Sequence, residues 1–401
     1  MVVVLGVLGL PSPSCTLVWQ ERYVHDNDVL YSYCQTLALS TATSAILRFV
    51  MTTLSNPATR GEALRSRPTM RDVAALAGVS LKTVSRVVNR ESGVSGDLVS
   101  KVERAADELD YRHDLTASNL RRSDRKTATI GLIFEDVSNP HFSSVHRGIE
   151  EIARQHGTAV FAASVDESPE REKDLVVAFT QRRVDAIIMT PTVREQTYLD
   201  HERRGGLVIV FVDREPRGFD ADCVVTDNEA GAAVATGHLL GRGHRRVAFV
   251  GDYENITTAS QRHAGYARVM SSSGAPDASD LVRRDVHTLD SATEAVLALL
   301  DSPAPPTAIF AAQNLITMGA VRALQLRGLQ HSVALVGFDD FSMADALDPG
   351  VTVVAQDPRE IGRMAARLAF ARIEAPDLPT AVYVVPSGLV IRGSGEIPPG
   401  R

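Results

Sequence analysis

At 401 residues with 44% hydrophobic content, the chain is long enough for two or three domains with true cores. Its net charge of −7 argues against a polycation that coats nucleic acid without selection, and no apolar run approaches the roughly 18 residues of a membrane span. Cys15, Cys34 and Cys223 show neither metal-ligand nor Cys-x-x-Cys spacing, which fits a reducing cytoplasm better than a disulfide framework.

Residues 1–67 open on MVVVLGVLGLPSPSC, an apolar run that lacks the positive n-region and A-x-A-type cleavage site of a secretion signal. No sustained periodicity follows. The segment is expected to be a poorly ordered extension, with Met51 as an alternative start.

Pro68–Arg90, PTMRDVAALAGVSLKTVSRVVNR, predicts two short helices around a tight turn. Thr69 and Asp72 have the spacing of a capping box, and Val73, Ala74, Leu76 and Ala77 make a small apolar face at helical spacing. Gly78 stops this helix where a left-handed residue is needed. Ser80 caps the next helix, which points Val84, Val87 and Val88 inward and Leu81, Lys82, Ser85, Arg86 and Asn89 outward. Such a helix-turn-helix can set its second helix in a major groove. Residues 68–126 carry 11 Lys+Arg against 9 Asp+Glu, whereas residues 127–401 carry 26 against 36. A mildly basic module on an acidic body suits a DNA reader whose bulk stays off the phosphates.

Ser95 or Asp97 can cap a third helix, in which Leu98, Val102, Ala105, Ala106 and Leu109 would close a three-helix core. Asp114 can cap one more short helix, Leu115 to Arg122, before a polar, basic linker. A helix that short is marginal in water and suits folding against a partner.

Residues 68–127 resemble the DNA-binding headpiece and hinge of the lactose/galactose repressor family of bacterial transcription regulators. The pattern D-V-A-x-x-A-G-V-S-x-x-T-V-S-R-V-x-N is unbroken from Asp72 to Asn89. The resemblance places Leu81, Lys82 and Arg86 at base-reading positions. It puts Thr69, Ser80, Thr83, Ser85 and Asn89 where phosphates are contacted or helices capped. Ala117–Arg121, A-S-N-L-R, resembles the family's hinge and implies DNA contact from Asn119, Leu120 and Arg121, with Leu120 as a minor-groove wedge. Ser118 and His113 stand where arginine and proline are commoner in the family.

From Thr129, apolar runs alternate with amphipathic stretches in the rhythm of β-α units around parallel sheets. Two sets are expected, the first ending at Asp213 and the second beginning at CVVTD, with VYVVPSGLVIR closing the chain. Ligands bind such sheets beyond the carboxyl ends of the strands. Those ends supply Asp136, Asn139, Phe142, Asp213, Arg214, Asp227, Asn228, Asn314, Asp339 and Asp340, with Arg262 in a helix nearby. Carboxylates, amides, arginines and an aromatic plate suit a polyhydroxylated ligand, although Asp136, Asn139, Asp227 and Asn314 also stand where helices are capped. Gly241-Arg242-Gly243 lacks the strand–loop–helix context of a dinucleotide site.

D-V-S-N-P-H-F (136–142), V-D-R (212–214), T-D-N-E-A-G (226–231), G-H-R-R-V-A-F-V-G (243–251) and V-G-F-D-D (336–340) resemble the same family's effector-binding core. That likeness implies that Asp213, Arg262 and Asp339 are the leading effector contacts, with Phe142 as a stacking plate; the strand ends add Asn139, Arg214 and Asn314 as expected contacts. Asn314-Leu315 departs from the family's commoner N-D.

The expected architecture is therefore an extension (1–67), an all-α helix-turn-helix headpiece (68–112) and a hinge and linker (113–127). A two-lobed α/β domain of the periplasmic-binding-protein type (128–395) and a short tail (396–401) follow. The expected function is a cytoplasmic repressor acting as a homodimer on operator DNA, with a sugar or related metabolite as effector. No cofactor, metal, membrane contact or catalysis is expected, since no nucleophile–base pair, metal spacing or phosphate loop is visible. A secreted sugar-binding protein is the alternative. No heptad tail follows Arg392, which favours a dimer over a tetramer.

Overall fold

The computed structural model describes residues 16–23, 31–38, 68–88, 91, 93–112 and 126–400. Asn89, the hinge residues Asn119, Leu120 and Arg121, and the short helix expected at 115–122 lie outside the described residues. The chain divides into two compact units, Met1–Asp114 and Leu115–Arg401.

Within the first unit, β1 (Thr16–Tyr23) and β2 (Tyr31–Ala38) pair antiparallel. Both are rich in the aromatic and β-branched residues that strands favour. Three helices follow: α1 (Met70–Ala77), α2 (Leu81–Val88) and α3 (Gly96–Glu108). The Thr69 amide and hydroxyl each donate to the Asp72 carboxylate at 2.7 Å, and these bonds hold that carboxyl below its ordinary pKa. Gly78 adopts φ 64° at the turn. Ser80 Oγ accepts from the Thr83 amide at 3.1 Å. Val73, Ala74, Val84, Val102 and Ala105 form the core. Leu76, expected on the inner face, is instead 46% exposed. Val73, Ala74 and Ala77 already span so small a core, and Leu76 falls at the border of their stripe.

The second unit contains two six-stranded sheets. The first lobe is built from β3 (Thr129–Phe134), α4 (Pro140–Gln155), β4 (Ala159–Ser164), α5 (Pro169–Gln181), β5 (Ala186–Met189), a short α6 (Asp200–Arg204), β6 (Val208–Val212) and β7 (Asp222–Thr226). The second lobe follows with α7 (Asn228–Gly241), β8 (Val247–Val250), α8 (Thr257–Ser272), β9 (Val282–Arg283), α9 (Leu289–Leu300), β10 (Ala308–Ala311), α10 (Asn314–Arg327), β11 (Ala334–Phe338) and β12 (Thr352–Ala355). The chain then returns through α11 (Pro358–Glu374) to β13 (Val382–Val385) in the first lobe, and crosses again to β14 (Gly388–Val390) in the second.

The strand orders, β13-β7-β6-β5-β3-β4 and β14-β12-β11-β10-β8-β9, are duplicates of one plan. All pairings are parallel except β14 with β12. CVVTD, expected to open the second set, is instead β7 of the first sheet, paired with β6. The closing run VYVVPSGLVIR is two strands in two sheets, because Pro386 and Ser387 carry the chain from one lobe to the other. Central strands such as β5, β6 and β11 are buried throughout, as helices on both faces of a parallel sheet require.

Helices α4 and α11 cross with backbone almost touching. A Cβ on Gly148 would lie 2.1 Å from the Arg359 carbonyl oxygen, and one on Gly362 would lie 2.0 Å from that of Val145. Nothing flexible is there to yield. Gly362→Ala should therefore force the helices apart and cost about 1–3 kcal/mol, lowering the midpoint of thermal unfolding by several degrees. Gly237→Ala, on a helix face with nothing within 4 Å, should raise it slightly through helix propensity. Calorimetry of the two variants side by side checks both signs.

Candidate functional site

On the headpiece, Leu81 and Lys82 are exposed at the start of α2, while Ser85 and Arg86 are half-buried one turn on. Ser80 and Thr83 hydroxyls bond each other at 2.9 Å, so they serve the cap as drawn, and Thr69 does the same for α1 with Asp72. Arg86 is parked: its Nε lies 3.4 Å from a Glu91 carboxylate oxygen, a pair whose exposure keeps it weak. A phosphate or guanine edge would compete with that carboxylate for the guanidinium.

In the body, the residues expected at a ligand site converge. Asn139, Phe142, Asp213, Arg214, Arg262, Asn314 and Asp339 line one cleft at the carboxyl ends of both sheets. Asp213 directly follows β6 and Asp339 directly follows β11, equivalent strands in the duplicated plan. Both adopt left-handed backbone, φ 69° and φ 70°. The Asp213 amide donates to Val224 O and the Asp339 amide to Val354 O, each at 2.9 Å. A non-glycine residue in this region is uncommon and strained; aspartate tolerates it better than most residues.

The cations are already neutralised. Arg262, 5% exposed, donates from Nε to Asn228 Oδ1 at 2.8 Å and from Nη1 to Ala312 O at 2.9 Å and Asp339 Oδ2 at 3.4 Å. Its guanidinium carbon sits 3.9 Å from the Phe338 ring centroid, a cation–π contact. Gln356 donates to the other Asp339 oxygen at 2.5 Å. Arg214 makes a two-pronged pair with Glu167, at 2.6 and 3.1 Å. Burial alone would lower its pKa, but Glu167, Asp213 and Glu135 together push it above the ordinary value. Phe142 is buried and stacked on Phe134, with centroids 5.3 Å apart.

Asn139 caps α4 by accepting from the His141 amide at 3.0 Å, and also meets Asn314 across the cleft, accepting from its Nδ2 at 2.8 Å. The capping and cleft-lining readings therefore both describe it. The helix-cap role weighed for Asp227 falls to a different bond: its carboxylate accepts from the Ser387 amide at 2.7 Å and hydroxyl at 2.6 Å. Asp136 folds its own turn through Ser138. Asp340 pairs with Arg392 at 2.6 Å.

Sequence reasoning passed over Glu135, His141, Asp252, Gln313 and Gln356, all in the lining, and His287. His287 Nε2 lies 3.4 Å from Glu135 and Nδ1 lies 2.8 Å from Asp252. Glu135 and Asp252 follow the equivalent strands β3 and β8, so the duplication that pairs Asp213 with Asp339 was the available signal for them. His287 had none, since its partners are 35 residues away or in the other lobe.

A helix-turn-helix unit joined to a two-lobed α/β unit with a polar cleft defines a ligand-controlled DNA-binding regulator. Residues 69–114 match the description "Bacterial regulatory proteins, lacI family". Residues 127–388 match "Periplasmic binding proteins and sugar binding domain of LacI family". The ribose operon repressor of Halalkalibacterium halodurans is 32% identical over 326 residues, 81% of this chain and 96% of that protein. Among solved structures, the transcriptional regulator CelR in complex with cellobiose is 29% identical with a TM-score of 0.60, covering 82% of this chain and 100% of that one. The Lac repressor dimer bound to operator and an anti-inducer is 25% identical with a TM-score of 0.72, covering 82% and 99%. The chain belongs to the LacI family of bacterial transcription regulators. Among the described residues no helix is long and apolar enough to cross a membrane.

The burial of the Arg262 network has a measurable consequence. Arg262→Ala leaves Asp339 buried without its cation and should cost about 3–5 kcal/mol of stability, read by urea unfolding. Asp213→Asn should change stability by less than about 1 kcal/mol, because asparagine also accepts left-handed backbone.

Proposed function

We propose that the protein is a cytoplasmic, non-enzymatic repressor that binds a pseudo-palindromic operator as a homodimer, and that a neutral sugar in the cleft sets its operator affinity. The observation that carries the effector class is the charge state of the lining. Glu135, Asp213, Asp252 and Asp339 face a cleft whose arginines are already occupied by carboxylates, amides and carbonyls. Hydroxyl groups donate to such carboxylates, whereas a phosphate or carboxylate ligand would find no cation to spare. The ribose operon repressor and the CelR complex with cellobiose support the same class by kinship.

The cleft as it stands holds a cavity of about 40 Å³, space for a few waters and not for a pentose. Entry therefore requires the lobes to part and re-close on the ligand. Closure energy that differs between free and bound states is what an effector can transmit to DNA affinity. Asn139, Phe142, Asp213, Arg214, Arg262, Asn314 and Asp339 are the proposed contacts, in which Phe142 offers an apolar wall to the ring. Exposed Val382, Tyr383 and Val384 on the edge strand β13 supply apolar surface of the kind that a second copy covers.

For the headpiece, Lys82 and Arg86 are proposed to read bases and Leu81 to pack on them. Thr69, Ser80, Thr83, Ser85 and Asn89 are proposed to contact phosphates, and Asn119, Leu120 and Arg121 to form the minor-groove hinge. The alternative of a sugar-binding protein without a DNA role leaves the exposed face of α2 without a purpose.

Operator fragments selected from random duplexes give the test. Arg86→Ala should weaken binding to the selected site by about 1–3 kcal/mol, or roughly five- to 150-fold, and relax specificity at one position per half-site. Its unfolding midpoint should not move; unchanged operator affinity would remove Arg86 from the reading face. A thermal-shift screen of pentoses, hexoses, disaccharides and their phosphates should show stabilisation by a neutral sugar. Asp213→Asn should abolish that shift while leaving operator affinity intact.

A further inference from the structure

We propose that His287 is a positioning residue that latches the two lobes: its imidazole joins Glu135 of the first lobe to Asp252 of the second and sets how firmly the cleft shuts. Three observations carry this. The Nδ1–Asp252 contact is 2.8 Å and the Nε2–Glu135 contact 3.4 Å, so both ring nitrogens face carboxylates. The ring stacks on Tyr253, centroids 4.8 Å apart and planes 16° from parallel, which fixes its orientation. The two carboxylate side chains are each only 10% exposed, so water screens them poorly from one another. Only an imidazolium can donate to both at once; a neutral ring would turn a lone pair toward one of them.

The second side-chain contact across the cleft, between Asn139 and Asn314, is uncharged and carries no dependence on pH. Other charges near the latch are already engaged. Arg284 pairs with Glu254, and Asp285 accepts from the Glu254 amide. Arg214, which feels the charge of Glu135, is held by Glu167. The bond to Asp252, then that to Glu135, push the His287 pKa up to about 10 against the opposing effect of burial. Opening the cleft removes Glu135 but leaves Asp252 beside the ring, so the value falls part of the way toward the ordinary imidazole range near 6.5. Closure therefore takes up a proton. Its stabilisation is complete below the value of the open form and declines as pH rises through that of the closed form.

The inference rests on the effector reading only in that closing is what an effector would exploit; the latch itself is measured without ligand. On the full chain, nuclear magnetic resonance follows the His287 ring, assigned by its loss in His287→Gln, while small-angle scattering follows the radius of gyration from pH 6 to 10. The ring should titrate at least one unit above an ordinary imidazole, and Glu135→Gln should lower that value. The wild type should expand as pH rises. His287→Gln and Glu135→Gln should already be expanded at pH 7 and show no further change. An ordinary titration, or scattering that neither pH nor either variant alters, overturns the latch. Calorimetry with D-ribose and cellobiose separates the two ideas. If the latch is sound, sugar affinity should fall on the order of tenfold between pH 7 and 9 in the wild type only. Expansion as described with no sugar bound at any pH would uphold the latch and defeat the neutral-sugar reading.

Discussion

The backbone passes between the two lobes three times, and the rest of the effector unit depends on that constraint. The crossings lie between β7 and α7, between β12 and α11, and between β13 and β14. Each sheet thus ends on a strand that arrives late in the chain from the other lobe. Asp227 binds two of the crossings together through the Ser387 amide and hydroxyl, and there is no room for a side chain on Gly231, whose Cβ would lie 2.7 Å from Ser387 Oγ. A single linker would let the lobes swing freely. Three strands, two of them bonded, confine the motion to opening and closing about one seam. Side chains that face the cleft can then meet the same partners each time it shuts.

Duplication supplies those side chains in pairs. Asp213 and Asp339 occupy the same place in the two sheets, with the same left-handed backbone and the same amide bond to the neighbouring strand. Strain of this kind persists only where the surrounding structure over-determines it. Here the sheet bond fixes the backbone of each, while Arg262 and Gln356 also hold the Asp339 carboxylate. Asymmetry enters through the partners: Arg214 follows Asp213 directly in the chain, whereas Arg262 reaches Asp339 from α8. One plan therefore yields two walls that differ in donor supply.

Much of this was legible because it is local. Gly78, Thr69 and Asp72 mark their turn and cap by chemistry that acts over three or four residues. The apolar runs such as TIGLIF and AIIM announce buried parallel strands by composition alone. The carboxyl-end rule then gathered Asp213, Asn314 and Asp339 without any knowledge of distance, and the family likeness added Arg262. What escaped was non-local. Nothing in VYVVPSGLVIR says that Val385 and Gly388 belong to different sheets, and nothing around His287 names Glu135 as its neighbour. Nor does any local pattern mark Gly148 and Gly362, where the crossing of α4 and α11 puts two carbonyls where side chains would go. Leu76 failed for the opposite reason: the periodicity was read correctly, but the core it faced was too small to use it.

The closed cleft is already well bonded, and this shapes what a ligand must do. Asn139 and Asn314 satisfy each other, Asp339 holds Arg262 and Gln356, and Glu135 reaches His287. A sugar entering this site gains only the difference between its own hydrogen bonds and those it displaces. Affinity thus depends less on the number of polar groups in the lining than on which of them have spare acceptor capacity. Asp213 has the most: its oxygens lie 3.4 Å from Arg214 Nε and 3.9 Å from His141 Nε2, and both of those nitrogens lack a hydrogen-bond partner. An unsatisfied buried donor beside an under-used carboxylate costs free energy in the empty state. A hydroxyl placed between Asp213 and these nitrogens would donate to the first and accept from the second. Under the proposed reading, spare acceptor capacity in the cleft is therefore greatest at Asp213, in the first lobe.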